Sequence, residues 1–115
     1  MSVETDKTKG FCLDPKFEQA FGILGKRWNG LILDVLLSEG DQRFSELSQK
    51  IPQCSDRVLT ARLKELERGR LVVKVYTREC PRGFYRLTRS GSDLRHTMCE
   101  LHAWSEKWIS EAERN

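Results

Sequence analysis

The stretch IPQCSDRVLTARLKELERGRL, residues 51–71, decides how the chain folds. Pro52 stops one helix, and Ser55 is placed to N-cap the next, since a serine hydroxyl can accept a backbone amide left free in the first turn. Val58, Leu59, Leu63 and Leu66 recur at helical spacing, so one face of residues 56–68 points inward. Arg57, Ala61, Lys64 and Arg68 fall opposite, with Thr60 at the border and Arg62 near the edge of the apolar face. Gly69 follows as the expected C′ residue. An apolar back with a front of long hydrogen-bond donors and one small residue suits a helix that enters the DNA major groove. Arg can bind guanine through two hydrogen bonds, and Thr can meet a base or a thymine methyl. Lys64 and Arg68 are better placed for phosphates, which give affinity without sequence information. Arg62 has a second reading, as a brace within the fold.

Upstream, Asp14 is an expected N-cap with Pro15 at the first helical position. Phe17, Ala20, Phe21 and Leu24 then form one stripe of a first helix ending near Gly25. WNGLILDVLLSEG reads as a second helix, apolar nearly all round and so central. DQRF is a short extended piece; Ser45 and Glu46 open a third helix whose inward set is Phe44, Leu47 and Ile51. Downstream, LVVKVY and FYRLT are rich in strand-forming residues and are separated by TRECPRG, which predicts a hairpin. Thr88 or Ser90 caps a last helix over roughly 91–113, with Leu94, Met98, Leu101, Trp108 and Ala112 as its stripe and Trp104 and Ile109 flanking it. A short helix, a tight turn, a second helix and a β-hairpin make a winged helix-turn-helix.

The expected architecture is therefore mainly α with a small β-hairpin. Residues 1–11 form a flexible polar arm and 12–113 a single domain, with the helix-turn-helix at about 45–68 and the wing at about 71–88. Helices at about 14–25 and 91–113 serve dimerisation. The length, 115 residues, allows one core. With 38% hydrophobic and 32% charged residues, the chain is neither disordered nor membrane-spanning in character. Its net charge of +3 is unevenly spread: residues 41–89 hold twelve Lys/Arg against six Asp/Glu, while both ends are neutral to acidic. A polyanion would be drawn to the middle. The polar N-terminus lacks a secretory signal, so a cytoplasmic location is expected.

The four cysteines, Cys12, Cys54, Cys80 and Cys99, show no spacing suited to zinc, and no cofactor or metal is expected. Enzyme chemistry has no constellation to rest on, because there is no acidic pair or glycine-rich phosphate loop. His96 and His102 lie about 240° apart round their helix. Cys54 beside the Ser55 cap reads as a packing thiol. The hairpin tip carries Arg78 and Arg82, suited to the minor groove or the adjacent backbone.

GKRW, RFSEL, SDRVLTARLKELE, GRLV and YRLT stand in the order and spacing of the HxlR-type transcriptional regulators, MarR-like winged helix proteins of bacteria. The chain resembles that family over about residues 12–110. The resemblance implies a homodimeric repressor or activator on a palindromic operator, paired through its first and last helices. By position it implies Ser55, Arg57, Thr60, Arg62 and Lys64 as recognition residues, with Arg43 and Arg82 on the backbone; Ser45 and Arg68 join them from their places on the helices. Two departures stand out: Cys80 replaces a proline common in the family, and CLDP replaces the commoner CP.

The aromatic surface of Phe17, Phe21, Trp104 and Trp108, together with Leu101, exceeds what so small a core needs, which independently invites a partner copy. Some family members use a cysteine before the first helix as a switch for oxidants, quinones or other electrophiles, and Cys12 occupies that place. A nearby helix N-terminus, with Lys9 and Lys16, would favour its reactive thiolate, while Asp14 opposes. If the terminal helices pair, Cys12 could reach Cys99 of the partner subunit; capping by a small thiol is the competing route. A regulator gated by a small ligand, and a winged helix used only for protein–protein contact, remain as alternatives. The basic front of the fourth helix argues against the latter.

Overall fold

The computed structural model describes residues 10–110. The expected arm up to residue 9, including Lys9, and the residues beyond 110, including Ala112, lie outside the described residues; the last helix, expected to reach about residue 113, already ends at Trp108, with Ile109 in extended geometry. The order is α1 (Pro15–Leu24), α2 (Arg27–Glu39), α3 (Phe44–Lys50), α4 (Asp56–Arg68), β1 (Val72–Val75), β2 (Phe84–Leu87), α5 (Arg89–Ser92) and α6 (Arg95–Trp108). β1 and β2 pair antiparallel in register from Val72 opposite Leu87 to Val75 opposite Phe84. Gln42 adds a single bridge to Tyr85, giving the hairpin a rudimentary third strand.

The core gathers around α2 and α4. Ile32, Leu33, Leu36, Leu47, Leu59, Leu63, Leu66 and Val72 are all buried and belong to one cluster. α2 is not apolar all round: Leu31 is 42% exposed, and Asp34 on the same side accepts from His102 of α6 at 2.7 Å. The core needs only one stripe of this helix, and its other side faces α6.

Three local expectations change. α3 begins one residue earlier, at Phe44, because the Glu46 carboxylate accepts the backbone amide of Arg43 at 2.7 Å and closes the first turn. Gly69 ends α4 in right-handed geometry, and the left-handed residue is Arg70, at φ 63°. The amides of Arg70 and Leu71 return to Glu67 and Leu66, which is the Schellman pattern displaced by one residue. Thr88 and Ser90 hydroxyls both donate to the Arg70 carbonyl, fixing this turn against the hairpin's far end.

The third change is that the last helix is interrupted at Asp93–Leu94. Thr88 caps the short α5, and the turn lets Leu94 pack on the core while Arg95 donates to the Leu37 carbonyl at 2.9 Å. Gly91 sits so close to Leu71 that a Cβ there would run into the Leu71 carbonyl oxygen. No described residue of α1 or α6 is buried. The radius of gyration, 16.9 Å, exceeds the roughly 13 Å of a compact chain of this length, because those two helices reach outward.

Candidate nucleic-acid interface and thiol sites

α4 is seated by Leu59, Leu63 and Leu66, which are at most 1% exposed, so its opposite face must point to solvent. Ser55 caps it by accepting the Val58 amide at 3.2 Å, and Ser48 of α3 donates to Asp56 at 2.8 Å. These bonds fix the two helices of the motif at their junction. Arg57, Thr60, Ala61, Lys64 and Arg68 are exposed along the outer face. Among the described residues, neither these cations nor Arg43 and Arg82 form an ion pair, so their charge is unspent. The Thr60 hydroxyl donates back to the Asp56 carbonyl and Ser55 is occupied in capping, so both carry less reach than their positions suggested.

Arg62 parts from that row. It is half-buried, lies 3.6 Å from Glu65, and its Nε is buried without a hydrogen-bond partner. The bracing reading fits it better than groove contact. The knot it joins was not legible in the sequence. Asn29 of α2, fully buried, donates to the Ile23 carbonyl at 3.0 Å and to Glu65 at 3.1 Å. Lys26 also donates to Glu65, and these two hydrogen bonds hold its carboxyl below the usual glutamate range. The end of α1 is thereby tied to the middle of α4.

The wing is locked to the segment leading into α3 by a pair of backbone hydrogen bonds, Gln42 N–H to Tyr85 O at 3.1 Å and Tyr85 N–H to Gln42 O at 2.7 Å. Arg78, Arg82 and Ser45 are exposed around it, whereas Arg86 is held by Asp41 at 2.9 Å.

The thiols divide by burial. Cys12 and Cys99 are exposed, Cys80 is intermediate and Cys54 is buried. Burial pushes the Cys54 thiol up, Asp56 acting the same way against Arg62 and Arg27, which fits packing under the turn. Asp14, not Cys12, takes the first free amide of α1, from Lys16 at 2.9 Å. Cys12 opens instead onto an apolar cleft of about 570 Å³ walled by Phe11, Phe17 and Phe21. Phe17 and Phe21 stack at 5.9 Å and are 66% and 64% exposed. On α6, Leu101, Trp104 and Trp108 are 57%, 55% and 63% exposed. A single chain's core does not absorb these aromatics.

A capped recognition helix with a free cationic face, joined to a basic wing, defines a winged helix-turn-helix DNA-binding transcriptional regulator. The chain belongs to the HxlR-like helix-turn-helix family, whose model matches residues 23–113. It is 42% identical over 100 residues to the HTH-type transcriptional regulator YodB of Bacillus subtilis, covering 86% of this chain and 88% of that one. The reduced form of YodB superposes with a TM-score of 0.75 at 41% identity, covering 86% of this chain and 97% of that chain. Quinone-bound YodB gives 0.72 at 41% identity, covering 84% and 100%.

Proposed function

We propose that the chain works as a cytoplasmic homodimer on a two-fold-symmetric operator, and that reaction of Cys12 with an oxidant or electrophile changes its hold on DNA. It acts by binding, without turnover. Arg57 and Thr60 meet base edges; Lys64 and Arg68 engage phosphates; Arg43, Ser45 and Arg82 contact the adjacent backbone. Ser55 positions the helix, and Arg62 braces it.

The observation that carries the reading is the concentration of exposed aromatics on α1 and α6, with Cys12 opening onto those of α1. Burying these faces against a second copy covers the apolar surface and sets two recognition helices about 34 Å apart, one turn of DNA. A thiol on that seam is placed to alter the pairing when it acquires a bulky group. The likeness to a protein solved with quinone bound supports the class of electrophile. The Cys12 thiolate adds to a ring carbon: a C–S bond forms as the ring C=C π bond breaks, one proton is taken from solvent, and the proton of the attacked carbon shifts to oxygen, giving a hydroquinone thioether with no leaving group. With a disulfide-forming oxidant such as diamide, Cys12 and Cys99 of the partner subunit each lose a proton and an electron, which reduce the azo reagent to a hydrazine. Capping of Cys12 by a small thiol under the same oxidant is the competing product.

A gel shift on the chain's own upstream DNA tests this, with reduced protein and protein treated with diamide or a quinone, for wild type and Cys12→Ser. Wild type should bind when reduced and shift its affinity after treatment, while Cys12→Ser binds and does not respond. Equal responses in both proteins would remove Cys12 from the mechanism.

A further inference from the structure

Cys12 stands just ahead of α1, and that helix meets the rest of the fold only at its other end. None of its residues is buried, and only Ile23 and Leu24 pack against the core. Its ten residues make a stiff lever about 15 Å long. Only Gly25 and Lys26 separate it from α2, and the Gly25 N–H donates to the Phe21 carbonyl at 2.7 Å, so the junction is too tight to absorb a displacement. From this junction three groups reach α4. Asn29 Nδ2 donates both to the Ile23 carbonyl and to Glu65 Oε1, and Lys26 Nζ donates to Glu65 Oε2. The Ile23 Cδ1 lies 3.7 Å from where a Cβ on Gly69 would stand, against the end of α4. Both oxygens of one α4 carboxylate are thus held from the α1–α2 junction, whereas the Ser48–Asp56 bond holds only the start of the helix.

This knot is incompletely satisfied. Asn29 Oδ1 and Arg62 Nε are both buried without a hydrogen-bond partner among the described residues. Arg62 Nη1 and Asn29 Nδ2 approach the same oxygen, Glu65 Oε1, at 3.6 and 3.1 Å, so the free donor and the free acceptor stand on side chains that share a partner. Buried polar groups left unpaired cost free energy, and a second arrangement that pairs them competes with the one seen. Leu59, Leu63 and Leu66 hold α4 to the core without direction; the directional bonds at Glu65 set its roll. We infer that Lys26, Asn29 and Glu65 are positioning residues that carry the state of Cys12 to α4. When the face of α1 repacks, the Ile23 carbonyl and Lys26 move with it. Glu65 must follow or lose a bond, and Arg57 and Lys64 on the same helix are re-aimed over the DNA. The inference rests on the proposed thiol response and supplies its route through the fold.

The readout is a ratio, the Kd for the upstream DNA after treatment with para-benzoquinone divided by the Kd of the reduced protein. Mass spectrometry checks the Cys12 adduct in each sample. Glu65→Gln and Lys26→Met should bind when reduced, form the adduct to the wild-type extent, and bring the ratio at least about 2-fold closer to one. Lys26 is 47% exposed, so the test does not depend on the fold tolerating a change at Glu65. Leu36→Val, a core change outside the knot, should lose stability and keep the wild-type ratio. An equal fall in that variant would reduce the effect to stability and overturn the relay. Failure of the adduct to form in the knot variants would move these residues from relay to thiol reactivity, and also overturns it. Wild-type ratios in both Glu65→Gln and Lys26→Met overturn the relay and leave the thiol reading standing. A ratio of one in the unaltered protein, with the adduct formed, overturns both together.

Discussion

The side-chain amide of Asn29, at the centre of α2, donates to the Glu65 carboxylate of α4 at 3.1 Å. The same amide holds the Ile23 carbonyl at the end of α1, so one buried group joins α1, proposed to face a partner copy, to α4, proposed to face DNA. Removing the carboxylate leaves Asn29 fully buried with half its donors unmet. Glu65→Ala should therefore destabilise the fold by about 1–3 kcal/mol, read as a lower midpoint in urea with unchanged slope.

Acid should expose the same knot. Hydrogen bonds from Lys26 and Asn29 depress the Glu65 pKa in the folded state, so its carboxylate stabilises the fold above the ordinary value of 4.5. That contribution is lost as pH falls from 4.5 through the lower folded value. Wild type should lose stability over this window more steeply than Glu65→Gln, which has no proton to take up. Parallel stability curves for the two proteins from pH 6 to 3 would remove Glu65 from the acid response.

Gly91 predicts a backbone effect with no charge involved. A methyl group there meets the Leu71 carbonyl, which neither α5 nor β1 can yield without moving the hairpin. Gly91→Ala should cost about 1–3 kcal/mol, measured by thermal unfolding, where a Ser92→Ala control on an exposed site should be near neutral.

Dimer formation puts the exposed aromatics at stake. Trp108→Glu adds a charge to a face that the proposed dimer buries. It should give a monomer in sedimentation velocity and lower DNA affinity by roughly 10²-fold or more, with the fold intact by circular dichroism. A monomeric wild type with undiminished DNA affinity would contradict the paired arrangement.

The legibility of this chain follows from which residues act through periodicity. α4 could be read because Leu59, Leu63 and Leu66 repeat at helical spacing after a serine cap, and the hairpin because Pro81 and Gly83 punctuate two β-rich runs. Arg70 could not: nothing local marks an arginine for left-handed geometry beside an available glycine, and its conformation depends on Thr88 and Ser90 donating from far along the chain. The break at Asp93–Leu94 was hidden for the same reason, since it is set by Arg95 reaching the Leu37 carbonyl. Asn29 carried no signal in the sequence; only the approach of α4 makes it a buried hub. Arg62 was balanced between two roles in sequence, and its pairing with Glu65 favours the brace.

The central claim is that α4 reads DNA through its outer face, Arg57 above all. Fluorescence anisotropy with the palindrome from the chain's own upstream region, against a scrambled duplex and across salt, tests it most directly. The account expects tight, steeply salt-dependent binding of two chains per site. Arg57→Ala should lose about 1–3 kcal/mol on the palindrome and discriminate less against the scramble, whereas Lys64→Ala weakens both duplexes alike. Indifference of both duplexes to Arg57→Ala, or no preference for the palindrome by wild type at any salt, would contradict it.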